Sequence, residues 1–92
     1  MEFQTAQKEV DALIEDLGGY WPVMNILARL TEELGELSAE LQGRRREPGP
    51  GVEEEIGDVL FALLALSNTT GVDTGKALRK VMDKYIQRDL KK

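Results

Sequence analysis

Two pairs of acidic residues share a spacing that could serve chemistry. Glu33 and Glu36 form the first pair, and Glu55 and Asp58 form the second, each separated by three residues. Residues three apart in a helix lie about 60° apart around its axis, so both carboxylates of a pair project from one side. Two neighbouring helices carrying these pairs would bring four carboxylates together.

Four clustered carboxylates need a cation. Two negative charges about 5 Å apart repel each other by roughly 3 kcal/mol at an effective dielectric constant of about 20. The chain contains neither histidine nor cysteine, so carboxylate oxygen atoms are the metal ligands that these residues can supply. Oxygen ligands favour hard ions, and we expect Mg²⁺, with Mn²⁺ able to substitute. Iron is disfavoured, because helical di-iron sites use a Glu-x-x-His pair.

The same acids admit a simpler interpretation. Glu55 lies in the predicted first turn of a helix, where acids interact favourably with the helix dipole, and the other pair could form a solvated face. Asp58 argues against this interpretation, because it is a poor helix former placed directly before an all-apolar segment. Gly35 and Gly57 each lie between paired acids and suggest the close approach of a backbone or a ligand.

The acids fall within a pattern of four helices. Apolar residues recur at three- and four-residue steps, and no alternating strand pattern competes with them. Segment 43–51 contains two prolines and three glycines, which predicts a loop. The predicted helices run from Phe3 to Leu17, from Pro22 to Gly43, from near Val52 to Gly71, and from a cap at Asp73 or Thr74 to Ile86.

Length and patterning indicate one all-α domain over residues 1–92 that assembles into a homo-oligomer. A chain of 92 residues buries only a thin core. Its third helix contains segment 59–66, which is apolar on every side and therefore typical of a helix buried all round. One such chain can scarcely cover that helix, so we expect other copies to do so.

Charge and hydropathy exclude several classes of function. The net charge of -5 argues against nucleic acid as the main partner, because such proteins usually present a concentrated basic face. The longest apolar run, segment 59–66, is far shorter than the roughly 20 residues that span a bilayer. No signal-peptide pattern follows Met1, so the sequence predicts a cytoplasmic protein without a membrane partner.

Two longer motifs resemble those of a known family. Segment 30–37 reads Leu-Thr-Glu-Glu-Leu-Gly-Glu-Leu, and segment 54–61 reads Glu-Glu-Ile-Gly-Asp-Val-Leu-Phe. In order and spacing they resemble the Glu-Glu-x-x-Glu and Glu-x-x-Asp signature of MazG-like nucleotide pyrophosphohydrolases. Segment 84–88 resembles the closing Lys-aromatic-x-x-Arg segment of that family, whereas the first helix is generic.

The resemblance implies a MazG-like four-helix dimer or tetramer that hydrolyses nucleoside triphosphates to monophosphates and pyrophosphate, with nucleotide-pool housecleaning as one role. Glu32 would position or deprotonate water. Lys84 and Arg88 would bind phosphate, or else complement the dipole at a helix end. Trp21 would contact the base, or else anchor packing. The implied Mg²⁺ ligands are Glu33, Glu36, Glu55 and Asp58.

Some features limit the resemblance and leave alternatives open. Many relatives carry a nucleotide-contacting asparagine where this chain has Met82. Arg44, Arg45 and Arg46 could reach a triphosphate or remain in solvent. A related enzyme, phosphoribosyl-ATP pyrophosphohydrolase, shares the acid pattern, although the segment after Asp58 resembles it less. The alternative of another class is a helical dimerisation module in which the acids only confer solubility.

Overall fold

A computed structural model describes residues 2–43 and 50–90 of the chain. The described residues form four α-helices and no strand, which confirms the predicted all-α fold. Residues 44–49, including the three arginines of the predicted loop, lie outside the described part. None of the described helices combines the length and apolar character needed to cross a membrane. The helices are α1 (Phe3–Asp16), α2 (Val23–Gly43), α3 (Pro50–Thr70) and α4 (Thr74–Tyr85), followed by a π-helical segment, Ile86–Leu90.

Local sequence signals account for most helix ends. Gly18 and Gly71 follow α1 and α3 with φ angles of 115° and 72°, values that favour glycine because it lacks a Cβ atom. The Asp73 carboxylate accepts a hydrogen bond from the backbone N–H of Lys76 at 3.0 Å, as expected of a helix N-cap. Of the two predicted caps, Asp73 is therefore the one used.

Helix α3 begins earlier than the predicted start near Val52. Pro50 occupies its first position, where a proline is tolerated because the missing N–H would have no partner within the helix. Gly51 lies against the Glu40 carboxylate, and a Cβ atom at this position would be 2.6 Å from Glu40 Oε1. The absence of a side chain therefore lets the end of α2 approach the start of α3.

The α2–α3 pair forms the body of the molecule. Helix α1 packs against α3, and α4 packs against α1. Among the residues that the structure describes, the buried apolar ones all come from α2 and α3, and they are Ile26, Val52, Ala62, Leu64 and Ala65. Helix α4 buries no residue, so its predicted apolar face remains exposed in the single chain.

Helix α3 is not buried on every side within one chain, as expected of a helix that a single copy can scarcely cover. Ile56, Leu60 and Leu63 are exposed at 53%, 41% and 39%. Their spacing of four and then three residues places them on one side of α3, and we call them the α3 stripe. Helices α2 and α1 together cover only part of α3, and its burial by other copies stays a prediction.

Hydrogen bonds between side chains fasten α1 to α3. Gln7 Nε2 donates to Asn68 Oδ1 at 3.0 Å, while Asn68 Nδ2 donates to the Gln7 carbonyl at 3.0 Å and to the Tyr20 hydroxyl at 3.1 Å. The Tyr20 hydroxyl in turn donates to Asp11. These bonds join α1 and α3 to Tyr20, which lies in the turn between α1 and α2 next to Trp21.

Candidate functional site

A buried carboxylate lies at the centre of the α2–α3 packing. Glu33 on α2 is only 3% exposed, and its Oε2 atom is buried without a hydrogen-bond partner among the described residues. Its Oε1 atom lies 3.0 Å from Arg29 Nε, one helical turn earlier. Burying a carboxylate is costly unless it is paired. The solvated-face interpretation therefore fails for Glu33.

The packing of α3 on α2 brings two more acids to Glu33. One carboxylate oxygen from each of Glu33, Glu55 and Asp58 lies within 4.8 Å of the others, and we call these residues the carboxylate cluster. Glu55 is half-buried, and its Oε2 atom also has no hydrogen-bond partner in the described part of the chain. Asp58 is exposed, so the difficulty of housing an acid beside the apolar segment does not arise. Three of the four predicted metal ligands thus converge.

Glu36, the fourth predicted ligand, lies beside the carboxylate cluster. It is exposed and within hydrogen-bonding reach of Glu55. Burial raises the pKa of Glu55 to about 7, and the Glu36 charge and hydrogen bonding with Glu36 and Glu33 add to this increase. Burial also raises the pKa of Glu33, with the Glu36 charge adding and the Arg29 charge opposing. The acids therefore share an electrostatically strained site that a proton or a cation would relieve.

The two glycines between the paired acids do not mark a close contact within the described chain. A Cβ atom added to Gly35 or Gly57 would have no neighbour within 4 Å. The expected approach of another backbone segment is therefore absent among the described residues.

A pocket opens beside the carboxylate cluster. Its volume is about 370 Å³, and Glu33 and Asp58 line it on the acidic side. Trp21 also lines the pocket and is 61% exposed. A pocket with one apolar aromatic wall and a few convergent polar groups is typical of a small-ligand site. Its apolar lining includes Ile14, Leu17, Ile26 and Phe61.

Arg29 lines the pocket, although it is not part of either acidic motif. Within residues 2–43 and 50–90 it is the only basic side chain that lines the pocket. Its position four residues before Glu33 was an available signal, because an arginine one turn from an acid can form an ion pair. The burial of Glu33 and the pocket beside Arg29 both depend on the packing of α3.

Three predicted site residues lie away from the pocket lining. Glu32 is exposed on α2, with its Oε2 atom 3.9 Å from Arg29 Nη1. Lys84 and Arg88 flank the ring of Tyr85 at 5.3 and 5.0 Å from its centroid, and Arg88 also pairs with Asp89. Lys84 lies on α4, which packs mainly against α1, and Arg88 lies in the π-helical segment that follows α4. A single chain therefore does not bring these two cations to the carboxylate cluster.

Comparison with known sequences identifies a family model that covers most of the chain. Residues 23–91 match the model of the MazG nucleotide pyrophosphohydrolase domain. The uncharacterized protein YpjD of Bacillus subtilis is 42% identical over 91 residues, covering 90% of this chain and 82% of YpjD. The nucleoside triphosphate pyrophosphohydrolase/pyrophosphatase MazG of Thermotoga maritima is 36% identical over 63 residues, which are 68% of this chain but 22% of that protein.

Solved structures agree with the sequence comparison. The crystal structure of the Bacillus-conserved MazG protein, a nucleotide pyrophosphohydrolase, has a TM-score of 0.88 and 39% identity, with 100% of this chain and 97% of that chain covered. The structure of the putative pyrophosphatase YpjD from Bacillus subtilis has a TM-score of 0.83 and 39% identity, with 92% and 95% covered. The chain therefore belongs to the MazG nucleotide pyrophosphohydrolase family.

Proposed function

We propose that this chain is a Mg²⁺-dependent nucleoside triphosphate pyrophosphohydrolase that releases a nucleoside monophosphate and pyrophosphate. The observation that carries the proposal is Glu33, a buried carboxylate with an unpartnered oxygen, converging with Glu55 and Asp58 beside a pocket. The nucleoside triphosphate activity stated for the Thermotoga maritima relative supports the substrate class. We further propose that residues 1–92 form one domain and that it acts in the cytoplasm, in housecleaning of the nucleotide pool.

The donor set of the carboxylate cluster fits a hard divalent cation. The orphaned Oε2 atoms of Glu33 and Glu55 are oxygen ligands, and Asp58 and the adjacent Glu36 would complete the set. Mg²⁺ or Mn²⁺ held there would neutralise phosphate charge and lower the pKa of bound water. Glu32, which is exposed beside Arg29, would position the attacking water.

The apolar side of the pocket would bind the nucleoside. Trp21 offers an exposed aromatic face at the pocket wall, and bases stack on such faces with little dependence on their identity. Phe61 lines the same pocket from α3. The phosphate chain would then extend from this wall towards Glu33 and Asp58, because a divalent cation bound by these acids could also bind phosphate oxygens.

A homodimer or homotetramer would supply what the single chain leaves incomplete. The α3 stripe and the apolar face of α4 are exposed, and an apolar surface of this kind marks an interface. Lys84 and Arg88 do not line the pocket of their own chain. We propose that another copy covers the α3 stripe and that Lys84 and Arg88 contact phosphate in the pocket of a neighbouring copy.

The test is hydrolysis of canonical, deoxy and modified nucleoside triphosphates, together with phosphoribosyl-ATP, in the presence of Mg²⁺ or Mn²⁺. Chromatography should show monophosphate and pyrophosphate, and EDTA should stop the reaction. Glu36→Gln should lower kcat about a hundredfold or more, because it removes a charged oxygen ligand beside the cluster. Glu54→Gln is the matched control, since Glu54 is an exposed acid next to Glu55 that is not among the clustered residues.

Each result of that assay has a distinct meaning. A strong preference for phosphoribosyl-ATP would identify the related enzyme of that substrate instead. If no nucleotide is hydrolysed and no divalent cation binds, the chain acts as a helical dimerisation module, and the carboxylate cluster has no catalytic role.

A further inference from the structure

Arg29 occupies a position at the pocket that ion pairing with Glu33 does not fully explain. Its Nε atom lies 3.0 Å from Glu33 Oε1, whereas its side chain remains 56% exposed and lines the pocket. Neutralising Glu33 would not by itself require the Arg29 side chain to line the pocket or to remain exposed. The exposed part of the group is therefore available to a ligand.

The donors of the guanidinium are only partly engaged. Arginine has five N–H donors in a planar fork, and Glu33 faces the one on Nε. Nη1 lies 3.9 Å from Glu32 Oε2, which is beyond hydrogen-bond distance. Each terminal nitrogen carries two N–H groups, so the fork retains donors suited to an oxyanion such as phosphate.

The charge of the expected substrate calls for a cation at this place. A triphosphate carries about four negative charges, while the carboxylate cluster beside it is itself acidic. In the described part of the chain, no other lysine or arginine lines the pocket. Arg29 is consequently the cation that one chain can offer to the phosphates without help from a second copy.

We propose that Arg29 binds the phosphate chain of the substrate through its terminal nitrogens while Nε remains beside Glu33. The inference rests on the proposed function, because it assigns a residue to the same pocket. It makes Arg29 a substrate-binding residue rather than only a counter-ion. The two roles predict different effects on metal, phosphate and nucleoside binding.

The variant Arg29→Met tests this role, because methionine keeps an apolar stem of similar length and removes the charge. Calorimetry in Mg²⁺ should compare an α,β-imido nucleoside triphosphate, inorganic pyrophosphate and the matching nucleoside. We expect the Kd of the two phosphate ligands to rise about tenfold to hundredfold, the loss typical of a hydrogen bond between charged groups. The Kd of the nucleoside should not change.

Two further variants sharpen the comparison. Arg29→Lys retains the charge but loses the planar fork, so it should weaken phosphate binding by less than Arg29→Met does. Arg79→Met is the matched control, because Arg79 forms a 3.0 Å ion pair with Asp83 at the same four-residue spacing and has a 57% exposed side chain outside the pocket lining. It should bind all three ligands like the wild type.

A titration with Mn²⁺ alone separates phosphate binding from support of the metal site. In Arg29→Met, Mn²⁺ should bind as tightly as in the wild type or more tightly, because a neighbouring positive charge is gone. Equal phosphate affinity in Arg29→Met and wild type, or a loss explained by weaker Mn²⁺ binding, would overturn the role of Arg29 alone. A wild-type chain that binds none of the phosphate ligands would overturn the proposed function, and this inference with it.

Discussion

Glu33 on α2 and Glu55 on α3 each bring a carboxylate oxygen within 4.8 Å of the other, and each has an Oε2 atom that is buried without a hydrogen-bond partner among the described residues. Burial raises the pKa of both groups, and that of Glu55 reaches about 7 against an ordinary value of 4.5. Between pH 4.5 and about 7, the native state of the metal-free chain therefore keeps Glu55 protonated to a greater extent than the unfolded state does. The stability of the chain must depend on pH.

We expect the metal-free chain to lose stability as the pH rises. A carboxyl group with a raised native pKa stabilises the fold below its unfolded pKa, and this contribution disappears as the pH passes the native value. For Glu55 the loss falls between pH 4.5 and about 7. Urea unfolding in EDTA at several pH values should show the decline, and Glu55→Gln should flatten it. A free energy of unfolding that rises over this range would contradict the assignment.

Divalent metal should reverse that loss. Protons and the cation compete for the same oxygens, so the Kd for Mg²⁺ should fall as the pH rises through about 7. At a hundredfold excess over Kd, the ligand should add about 2.7 kcal/mol to the free energy of unfolding. Thermal melts with Mg²⁺ and with EDTA at pH 8 measure the difference. Equal melting temperatures in the two buffers would show that the carboxylate cluster holds no metal.

The variant Glu33→Gln should separate stability from activity. Removing a buried charge relieves the cluster, so the metal-free variant should unfold at a higher urea concentration than the wild type at pH 8. Loss of a ligand oxygen should abolish the stabilisation by Mg²⁺ and reduce kcat about a hundredfold or more. Glu54→Gln, an exposed acid on α3, should change neither property. Full activity in Glu33→Gln would exclude Glu33 as a ligand.

Trp21→Ala should weaken nucleotide binding and leave the metal site intact. Stacking of a base on an aromatic side chain contributes about 1–3 kcal/mol, so KM should rise roughly 5- to 150-fold. Met24→Ala is the matched control, because Met24 is 69% exposed and lies outside the pocket lining. Trp21 is the only tryptophan in the chain, so its fluorescence should change on titration with nucleotide. An unchanged signal together with an unchanged KM would place the base elsewhere.

Asn68→Ala should destabilise the chain by about 2 kcal/mol. Asn68 makes hydrogen bonds to Gln7 and Tyr20 that join α1, α3 and the turn before α2, and their loss leaves polar groups without partners. Urea unfolding measures the effect. Gln42→Ala removes one exposed hydrogen bond to Ser38 and should cost less than about 0.5 kcal/mol. Equal losses in the two variants would mean that the network does not hold the helices together.

Periodicity and local chemistry in the sequence were enough to predict four helices and most of their ends. Such signals act within a few residues, as when the carboxylate of Asp73 caps the backbone of α4. The prediction of the start of α3 was wrong by two residues, because Pro50 occupies a first helical position that the content of the loop seemed to exclude. The spacing of the paired acids also followed directly from the helical repeat.

Packing between helices settled the rest, because burial and electrostatics depend on neighbours that are distant in sequence. The spacing of the four paired acids predicts the same role for each of them. In the folded chain, however, Glu33 is buried, Asp58 is exposed and Glu36 lies beside the cluster. The same docking turns Arg29 towards a pocket that no local pattern describes. Gly35 and Gly57 suggested a close contact, but no described segment approaches them, because the sequence of one helix does not specify what lies opposite.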